Sequence, residues 1–319
     1  PGHIGSTASS NLAIGKHHSC AIFDDGSIKC WGENLYGKLG DGTTTDSNTP
    51  VSVNLPAGST ATALSLGFEH SCAILDNGII KCWGYNLHGQ LGNGNNTMSF
   101  TPVSVNLPAG RTATALALGA HHSCAILDDG SLKCWGKNGH GQLGIGTTTS
   151  HNTPQTVDLG VGRTAVSVSS GYQHTCAVLD DGSLKCWGRG TAGQLGIGSN
   201  TNQYTPQIVI LGIGRTAVSV STEGSHTCVI LDDGSLKCWG YNGYGQLGIG
   251  STTFKNTPQL VDLGTGRTAI SVSLGSYHTC AILDDGSLKC WGSNGHDQLG
   301  FSSGGANQIT PQTVDLGVG

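Results

Sequence analysis

The chain has 319 residues, of which 11% are charged, and its formal net charge of −5 argues against a nucleic-acid-binding surface. Hydrophobic residues make up 36% of the chain and are spread evenly, which excludes a disordered acidic protein. No apolar run approaches the ~18 residues of a membrane helix. We assign residues 1–6, PGHIGS, to an N-terminal leader or expression scar, and residues 7–319 to a repeat domain.

One sequence motif recurs six times along this domain. It begins as HSCAIFDDGSIKCWG at His18 and returns, with small changes, at intervals of 52 residues. No insertion or deletion interrupts the period between Cys20 and Cys290. Such a fixed period indicates a repeat architecture.

Each repeat predicts four short strands. In residues 163–211, RTAVSVSSG alternates apolar and polar residues, HTCAVLD and SLKCWG flank a turn, and TPQIVIL is a fourth apolar segment. Gly-rich loops separate them, and no segment has a helical period over ten or more residues. We therefore expect an all-β fold, a single β-propeller of six four-stranded blades. Both ends of the chain fall at the same point of the repeat, which favours a closed ring.

The cysteines predict one disulfide in each repeat. The turn DDG fits a three-residue hairpin loop with Gly in the left-handed conformation, which pairs Ile22 with Ile28 and Cys20 with Cys30. A non-hydrogen-bonded pair of this kind has Cα atoms about 4.5 Å apart, within reach of a disulfide. The nine residues between the cysteines do not match a zinc-site spacing. The predicted bridges join Cys20 and Cys30, Cys72 and Cys82, Cys124 and Cys134, Cys176 and Cys186, Cys228 and Cys238, and Cys280 and Cys290.

Twelve paired cysteines imply an oxidising compartment, so we expect the protein outside the cell or in the cell envelope.

The segment GYQHTCAVLDDGSLKCWG, followed by GQLGIG and TPQ, resembles the repeat of the regulator of chromosome condensation family. The resemblance covers essentially the whole chain and implies four-stranded propeller blades. Because members of the family usually have seven blades, the alternative is that these six form part of a seven-bladed ring. The sequence departs from the pattern at Glu223, where the repeat has Gly, and at Gly190, where it has Asn. The last repeat also has one extra residue, within FSSGGANQITP.

Paired cysteines are absent from the nuclear members of the family, which argues against nucleotide exchange on a small GTPase. The family also includes secreted bacterial propellers that inhibit β-lactamases, and we expect this chain to be of the secreted, bacterial, disulfide-containing type.

Several recurring residues invite a functional interpretation. The repeated histidines would hold a metal or an anion only if they converged on the ring axis, and we expect each to bond loop backbone inside its own blade. The Asp128-Asp129-Gly130 turns have the composition that such turns need, without calcium. The six tryptophans are expected to pack between blades. No catalytic motif is present, so we expect no enzyme, no catalytic residue, no cofactor and no metal ion.

Comparing the repeats separates framework positions from variable ones. None of the seven tyrosines stands at a framework position. The variable positions just before the repeated His and just after Trp-Gly flank the open end of the hairpin, so they share one face of the ring. Aromatic residues among Gly, Ser and Asn are typical of a partner-binding surface. The predicted partner-binding residues are Tyr36, Phe68, Tyr85, His88, His121, His140, Tyr172, Tyr241, Tyr244, Tyr277 and His296.

The sequence thus predicts a non-enzymatic extracellular binding propeller that engages a protein or a glycan through this one face. It predicts no nucleic-acid partner and no membrane span. Two alternatives stay open. One is a structural component of an extracellular assembly, sheath or envelope, which would self-assemble. The other is a secreted propeller that inhibits an enzyme.

Overall fold

Each repeat forms one four-stranded antiparallel sheet, and there are six such sheets. The structure is a computed structural model, and it describes residues 11–317. It confirms the prediction of an all-β propeller with six four-stranded blades. In the described part of the chain, the one helical segment is a 3-10 turn, Leu35–Gly37. The predicted leader, residues 1–6, lies outside the described residues.

The blades follow one another in chain order, and each sheet takes its four strands from consecutive segments. Blade 1 contains β1 (Leu12–Ile14), β2 (His18–Ile22), β3 (Ile28–Gly32) and β4 (Ser47–Ser52); blade 2 contains β5 (Ala61–Leu66), β6 (His70–Leu75), β7 (Ile80–Gly84) and β8 (Ser99–Ser104); blade 3 contains β9 (Ala113–Leu118), β10 (His122–Leu127), β11 (Leu132–Gly136) and β12 (His151–Thr156); blade 4 contains β13 (Ala165–Ser170), β14 (His174–Leu179), β15 (Leu184–Gly188) and β16 (Gln203–Ile208); blade 5 contains β17 (Ala217–Glu223), β18 (His226–Leu231), β19 (Leu236–Gly240) and β20 (Lys255–Leu260); blade 6 contains β21 (Ala269–Leu274), β22 (His278–Leu283), β23 (Leu288–Gly292) and β24 (Gln308–Val314).

The first strand of every blade is innermost and lines a central channel of about 760 Å³. The fourth strand is outermost, and its residues are mostly exposed or half-buried, as in β16. In contrast, the second strands of blades 2 to 5 are buried along their whole length. The sheets therefore stand around the channel with their faces packed against neighbouring blades.

The predicted hairpin register is correct. Ile22 pairs with Ile28 and Cys20 with Cys30, and Gly26 has the left-handed φ of 76° that the turn requires. The same pairing places the two cysteines of every repeat opposite each other, with Cα atoms 4.0–4.1 Å apart. All six predicted disulfides form, and each joins the two central strands of its blade.

The hydrophobic cores lie between blades. The core between blades 5 and 6 packs Cys238 and Leu247 of blade 5 against Ala281, Leu283 and Trp291 of blade 6. The tryptophans of blades 2 to 6 are fully buried in this way, as predicted. Five of the six cores combine residues of two consecutive blades, so consecutive blades depend on each other for stability.

A repeated hydrogen-bond unit joins consecutive blades. At the junction of blades 4 and 5, His174 Nε2 lies 2.9 Å from the Thr227 hydroxyl, and that hydroxyl donates to the Gln194 carbonyl oxygen at 2.9 Å. Trp239 Nε1–H donates to the same oxygen, also at 2.9 Å. The unit recurs at the other four junctions from blade 1 to blade 6, with His18 and Ser71, His70 and Ser123, His122 and Thr175, and His226 and Thr279.

This arrangement corrects one prediction and supports another. The histidines are framework residues, as expected, but their partner is a hydroxyl of the next blade, not loop backbone of their own blade. The hydroxyl gives its only proton to a carbonyl, so the imidazole must be the donor at Nε2. Nδ1 of His174 is then an unprotonated atom, buried without a partner. Burial lowers the pKa of His174 to about 3, with His226 as a smaller cause, which keeps the ring neutral.

The junction between blades 6 and 1 is different. Among residues 11–317, His278 makes no bond to Ser19, and Trp31 makes none to the Gln298 carbonyl, although these residues occupy the equivalent positions. His278 and Trp31 are half-buried, whereas their counterparts His226 and Trp239 are inaccessible to solvent.

Candidate partner-binding face

The predicted aromatic residues stand on loops at one end of the blades, which we call the loop face. Phe68 lies in the connection from β5 to β6, and Tyr85 follows β7 directly. Tyr36 lies within the 3-10 turn after β3, with a left-handed φ of 73°. Each loop starts or ends at a strand tied by a disulfide, so the hairpin fixes where its aromatic residue stands.

Six of the predicted residues form one continuous cluster across blades 1 to 4. Tyr36 and Tyr85 have ring centroids 5.0 Å apart, and Tyr85 lies 5.8 Å from His121. Phe68 stands 6.1 Å from His121 and packs edge-on against Tyr172 at 4.4 Å. His88 completes the cluster, within 6.0 Å of Tyr85 and 5.7 Å of His121. We call these six residues the large aromatic cluster.

Three further predicted residues form a second group on blades 5 and 6. Tyr244 and Tyr277 have centroids 4.9 Å apart, and Tyr241 lies 6.3 Å from Tyr244 and 6.4 Å from Tyr277. All three side chains are at least 37% exposed. These residues form the small aromatic cluster. Their contacts hold the rings at defined angles before any partner arrives, which lowers the entropy lost on binding.

The remaining two predicted residues join neither cluster. The His140 ring makes one long contact, 3.4 Å from Asn202 Nδ2, and the His296 side chain is exposed. Their backbone N–H groups donate to Gln142 and Gln298 side chains, which shapes the loops. For these two histidines, the prediction of partner binding rests only on their position in a variable loop.

Histidines in the large aromatic cluster are neutral near pH 7. Burial lowers the pKa of His121 to about 4, with Lys137 as the next cause, and its Nδ1 is buried without a partner. Burial and Lys137 also lower the pKa of His88. The cluster therefore presents uncharged rings, which pack against apolar or aromatic groups at little desolvation cost.

Three charged features near the loop face were not predicted from the sequence. Lys16 Nζ stands 5.1 Å from the Phe68 ring centroid, a cation–π contact. Lys38 is fully buried and bonds Glu33 at 2.6 Å and Glu69 at 2.5 Å. Burial raises the pKa of Glu223 to about 7 beside the channel.

The mouth of the channel is crossed by residues two places before the repeated histidines. Phe68 of blade 2 meets Tyr172 of blade 4, and the Tyr172 hydroxyl lies 2.5 Å from the Ser276 hydroxyl of blade 6. Three non-adjacent blades are thereby linked over the channel. These contacts hold Phe68 and Tyr172, two members of the large aromatic cluster, over the mouth of the channel.

The opposite end of the blades, the turn face, carries the DDG turns. Arg111 reaches Asp128 at 3.3 Å and Asp129 at 3.0 Å, and the same arrangement recurs in blades 4 to 6. Arginine neutralises these carboxylates, so they do not need calcium. Across the described range, 11–317, no group of three or more His, Cys, Asp or Glu side chains is placed to hold a metal ion.

The repeat and these loops match a known family along nearly the whole chain. A family model named Regulator of chromosome condensation (RCC1) repeat matches residues 25–74, 77–126, 129–178, 181–230 and 233–282. A second model with the same description matches six segments from residue 10 to residue 298. The chain belongs to the regulator of chromosome condensation (RCC1) repeat family.

Relatives at about 30% identity have different names. The chain is 31% identical over 304 residues to the Ultraviolet-B receptor UVR8 of Arabidopsis thaliana, and the match covers 95% of this chain and 69% of the receptor. It is 30% identical over 269 residues to the human E3 ubiquitin-protein ligase HERC2, which covers 84% of this chain but 6% of the ligase.

Solved structures of the family share the fold. Yeast RCC1 (Prp20) bound to Kap60 superposes with a TM-score of 0.84 at 22% identity, covering 95% of this chain and 74% of that one. A structure of Prp20p from Saccharomyces cerevisiae, described with its binding to Gsp1p and histones, gives the same TM-score at 21% identity. In the part of this chain that the structure describes, no helix is long and apolar enough to cross a membrane.

Proposed function

We propose that this protein is a non-catalytic binding propeller, and that its loop face engages a folded protein partner in an oxidising compartment outside the cytoplasm. The observation that carries the proposal is the large aromatic cluster: six rings from four blades, held in contact on one face. Tyrosines supply large contact areas at low entropic cost and dominate the energy of many interfaces.

A protein partner fits this surface better than a glycan does. The two aromatic clusters together take residues from all six blades. A partner that touches both clusters must span the ring, which a folded surface of standard interface size achieves. Prp20p, described as binding Gsp1p and histones, is a family member whose partners are proteins.

The disulfides support the compartment. Six bridges in one chain form and persist where the environment is oxidising. A secreted family member of the bacterial type would meet such conditions, and an enzyme inhibitor is one form that this binding function would take. A role in an extracellular sheath or envelope would instead require self-assembly.

The test compares binding by matched variants. The partner is first captured from the extracellular fluid of the source culture and identified, and its affinity for the natural chain is measured. Tyr85→Ala combined with Tyr244→Ala should weaken binding by at least about 1–2 kcal/mol, or roughly tenfold, with little change in Tm. Tyr204→Ala is the control, because Tyr204 is 44% exposed but belongs to neither aromatic cluster.

Two results would contradict this proposal. In the first, the double variant binds as tightly as the Tyr204→Ala control. In the second, binding is lost on replacing Asp128 and Asp129 of the turn face. Twelve titratable thiols in the native protein would contradict the assigned compartment.

A further inference from the structure

The channel at the centre of the ring has two chemically different halves. Its volume of about 760 Å³ is in the range of small-molecule sites in proteins. On the inner strands of blades 1 to 3 the lining residues are apolar apart from Ser65, whose hydroxyl already accepts the Leu118 N–H at 3.2 Å. On the inner strands of blades 4 to 6, five lining residues carry hydroxyls: Ser169, Ser170, Ser221, Thr222 and Ser273. The channel is therefore amphipathic across its width.

Glu223 adds a carboxyl group to the polar half. The other repeats have Gly at this position, and an added Cβ on Gly171, for example, would lie 2.3 Å from His174 Cε1. In blade 5 the strand β17 instead continues to Glu223, and the chain then turns at Gly224 with a left-handed φ of 54°. The geometry of the repeat is thus altered where an acid enters the channel.

This carboxyl group has no counter-ion. Among the described residues, the other titratable side chains that line the channel are Lys16, Tyr172 and His278, and none of them forms an ion pair with Glu223. Lys16 stands over an aromatic ring of blade 2, the Tyr172 hydroxyl is bonded to a serine, and His226, whose backbone pairs with that of Glu223, is neutral. Burial raises the pKa of the Glu223 carboxyl group to about 7, and its ionised form lacks a positive partner.

Ser170, on the neighbouring blade, is a second unsatisfied group in the same wall. Its side chain is 5% exposed and its hydroxyl has no hydrogen-bond partner. In contrast, the Ser169 hydroxyl oxygen accepts the Thr222 N–H and the Thr222 hydroxyl, each at 3.0 Å. A buried hydroxyl without a partner costs free energy, which a ligand bound beside it would recover.

We propose that the channel binds a small organic amine with an apolar body. Its ammonium group would pair with the Glu223 carboxylate and donate to hydroxyls of blades 4 to 6. Its apolar part would lie against the leucines of blades 2 and 3 that line the channel, where burial of apolar surface favours binding. An inorganic cation would leave that apolar half without a partner. The amine would bind in the absence of any protein on the loop face.

The probe is 4-phenylbutylamine, compared by isothermal titration calorimetry with two relatives. In 4-phenylbutanol a hydroxyl replaces the ammonium group, and butylamine lacks the phenyl ring. The first compound should bind at least about tenfold more tightly than either relative, because it alone matches both halves of the channel.

The same titrations, run at pH 6 in two buffers of different ionisation enthalpy, count the protons released on binding. The free Glu223 carboxyl group is mostly protonated at pH 6, and pairing with an ammonium group ionises it. About one proton should therefore leave for each amine bound, and far fewer at pH 8, where the free carboxyl group is already ionised.

Variants of Glu223 identify the acid. Glu223→Gln should weaken the binding of 4-phenylbutylamine by about tenfold or more and abolish the proton release, while 4-phenylbutanol binds as before. Glu223→Gly restores the residue of the other repeats and should give the same result, which guards against a folding fault of one variant. Asp297→Asn is the matched control, because it removes an exposed carboxylate outside the channel at a position whose left-handed φ of 56° suits Asn. It should change neither the affinity nor the proton release.

Three outcomes overturn the proposal. Absence of binding at millimolar concentrations of 4-phenylbutylamine would show that the channel does not take this class of ligand. Equal affinities for the amine and the alcohol would show an apolar cavity without use of the carboxylate. An affinity and a proton release that survive both substitutions of Glu223 would place the amine elsewhere on the protein.

Discussion

His174 of blade 4 and Thr227 of blade 5 form a hydrogen bond of 2.9 Å across a fully buried junction. Thr227→Val keeps the shape of the side chain but leaves the His174 N–H without an acceptor. Since a buried polar group without a partner costs about 1–3 kcal/mol, we expect a loss of that size in the free energy of unfolding. Urea titrations followed by circular dichroism measure it. With His174→Ala already present, Thr227→Val should cost clearly less; additive losses would show that the two side chains are not coupled.

The junction histidines make the protein sensitive to acid. Burial lowers the pKa of His18, His122, His174 and His226 to about 3, and an unfolded histidine titrates near 6.5. Below pH 6.5 the unfolded chain therefore binds more protons than the folded one. Their contribution to stability is complete above pH 6.5 and is lost as the pH falls towards 3, with a limiting slope of about 1.4 kcal/mol per pH unit for each histidine. Thermal melts between pH 8 and pH 3 should show a steep fall in Tm below pH 6.5, and a flat profile would contradict it.

Reduction of the disulfides should lower stability in every blade. Each bridge closes a loop of about eleven residues, which the chain-entropy model values at a little under ~3 kcal/mol. Cys176→Ser with Cys186→Ser removes one bridge whose cysteines are both 0% exposed, and it should lower the free energy of unfolding by about 2–3 kcal/mol. The same pair of changes at Cys280 and Cys290 is the matched control. The loop-closure cost is the same there, but Cys280 is half-buried, so its serine hydroxyl is less costly to accommodate and the total loss should be smaller.

Local rules predicted the blade, since its strands follow from short-range patterns. The DDG turn sets the register of each hairpin, and register decides that Cys20 faces Cys30. The aromatic loop positions could be recognised by comparing the repeats, because framework residues recur in every repeat and these positions vary. Nine of the eleven predicted residues take part in ring contacts, which a comparison of positions alone could not have established.

The contacts between blades could not be predicted from the sequence. The period places a histidine in every repeat but does not tell whether Nε2 bonds its own blade or the next one. Lys38, Glu33 and Glu69 each resemble a solvated surface charge when considered singly, and they meet only because the loops of blades 1 and 2 approach each other. A count of repeats likewise does not predict that the junction between blades 6 and 1 differs from the other five, because that depends on how the blades are placed around the channel.

The buried ion group of Lys38, Glu33 and Glu69 can be tested by asking whether a second substitution restores the stability that a first one removes. Glu69→Ala leaves the fully buried Lys38 ammonium with one partner, Glu33, which is 36% exposed. Breaking a fully buried pair costs about 3–5 kcal/mol, and partial exposure reduces this to about 1–3 kcal/mol. Gln stands at the position of Lys38 in the other repeats, and Lys38→Gln should recover most of that loss when it is combined with Glu69→Ala. Chemical denaturation of the two variants decides; a combined variant as unstable as Glu69→Ala would show that the charge pairing is not the cause.

Glu223 should oppose the histidines in its effect of pH on stability. It replaces the repeat glycine at the end of β17, and burial raises its pKa to about 7, with the Gly224 N–H as a smaller, opposing cause. An unfolded glutamate titrates near 4.3, so between pH 4.3 and 7 the folded chain binds the extra proton. Stability from this group is therefore complete below pH 4.3 and falls as the pH rises to 7, by up to about 3 kcal/mol. Glu223→Gln removes the titration and should raise the Tm at pH 8 while leaving it nearly unchanged at pH 4. Subtracting the two pH profiles isolates Glu223 from the histidines, which are common to both proteins. A constant difference between the profiles from pH 4 to pH 8 would mean that Glu223 titrates as it does in the unfolded chain.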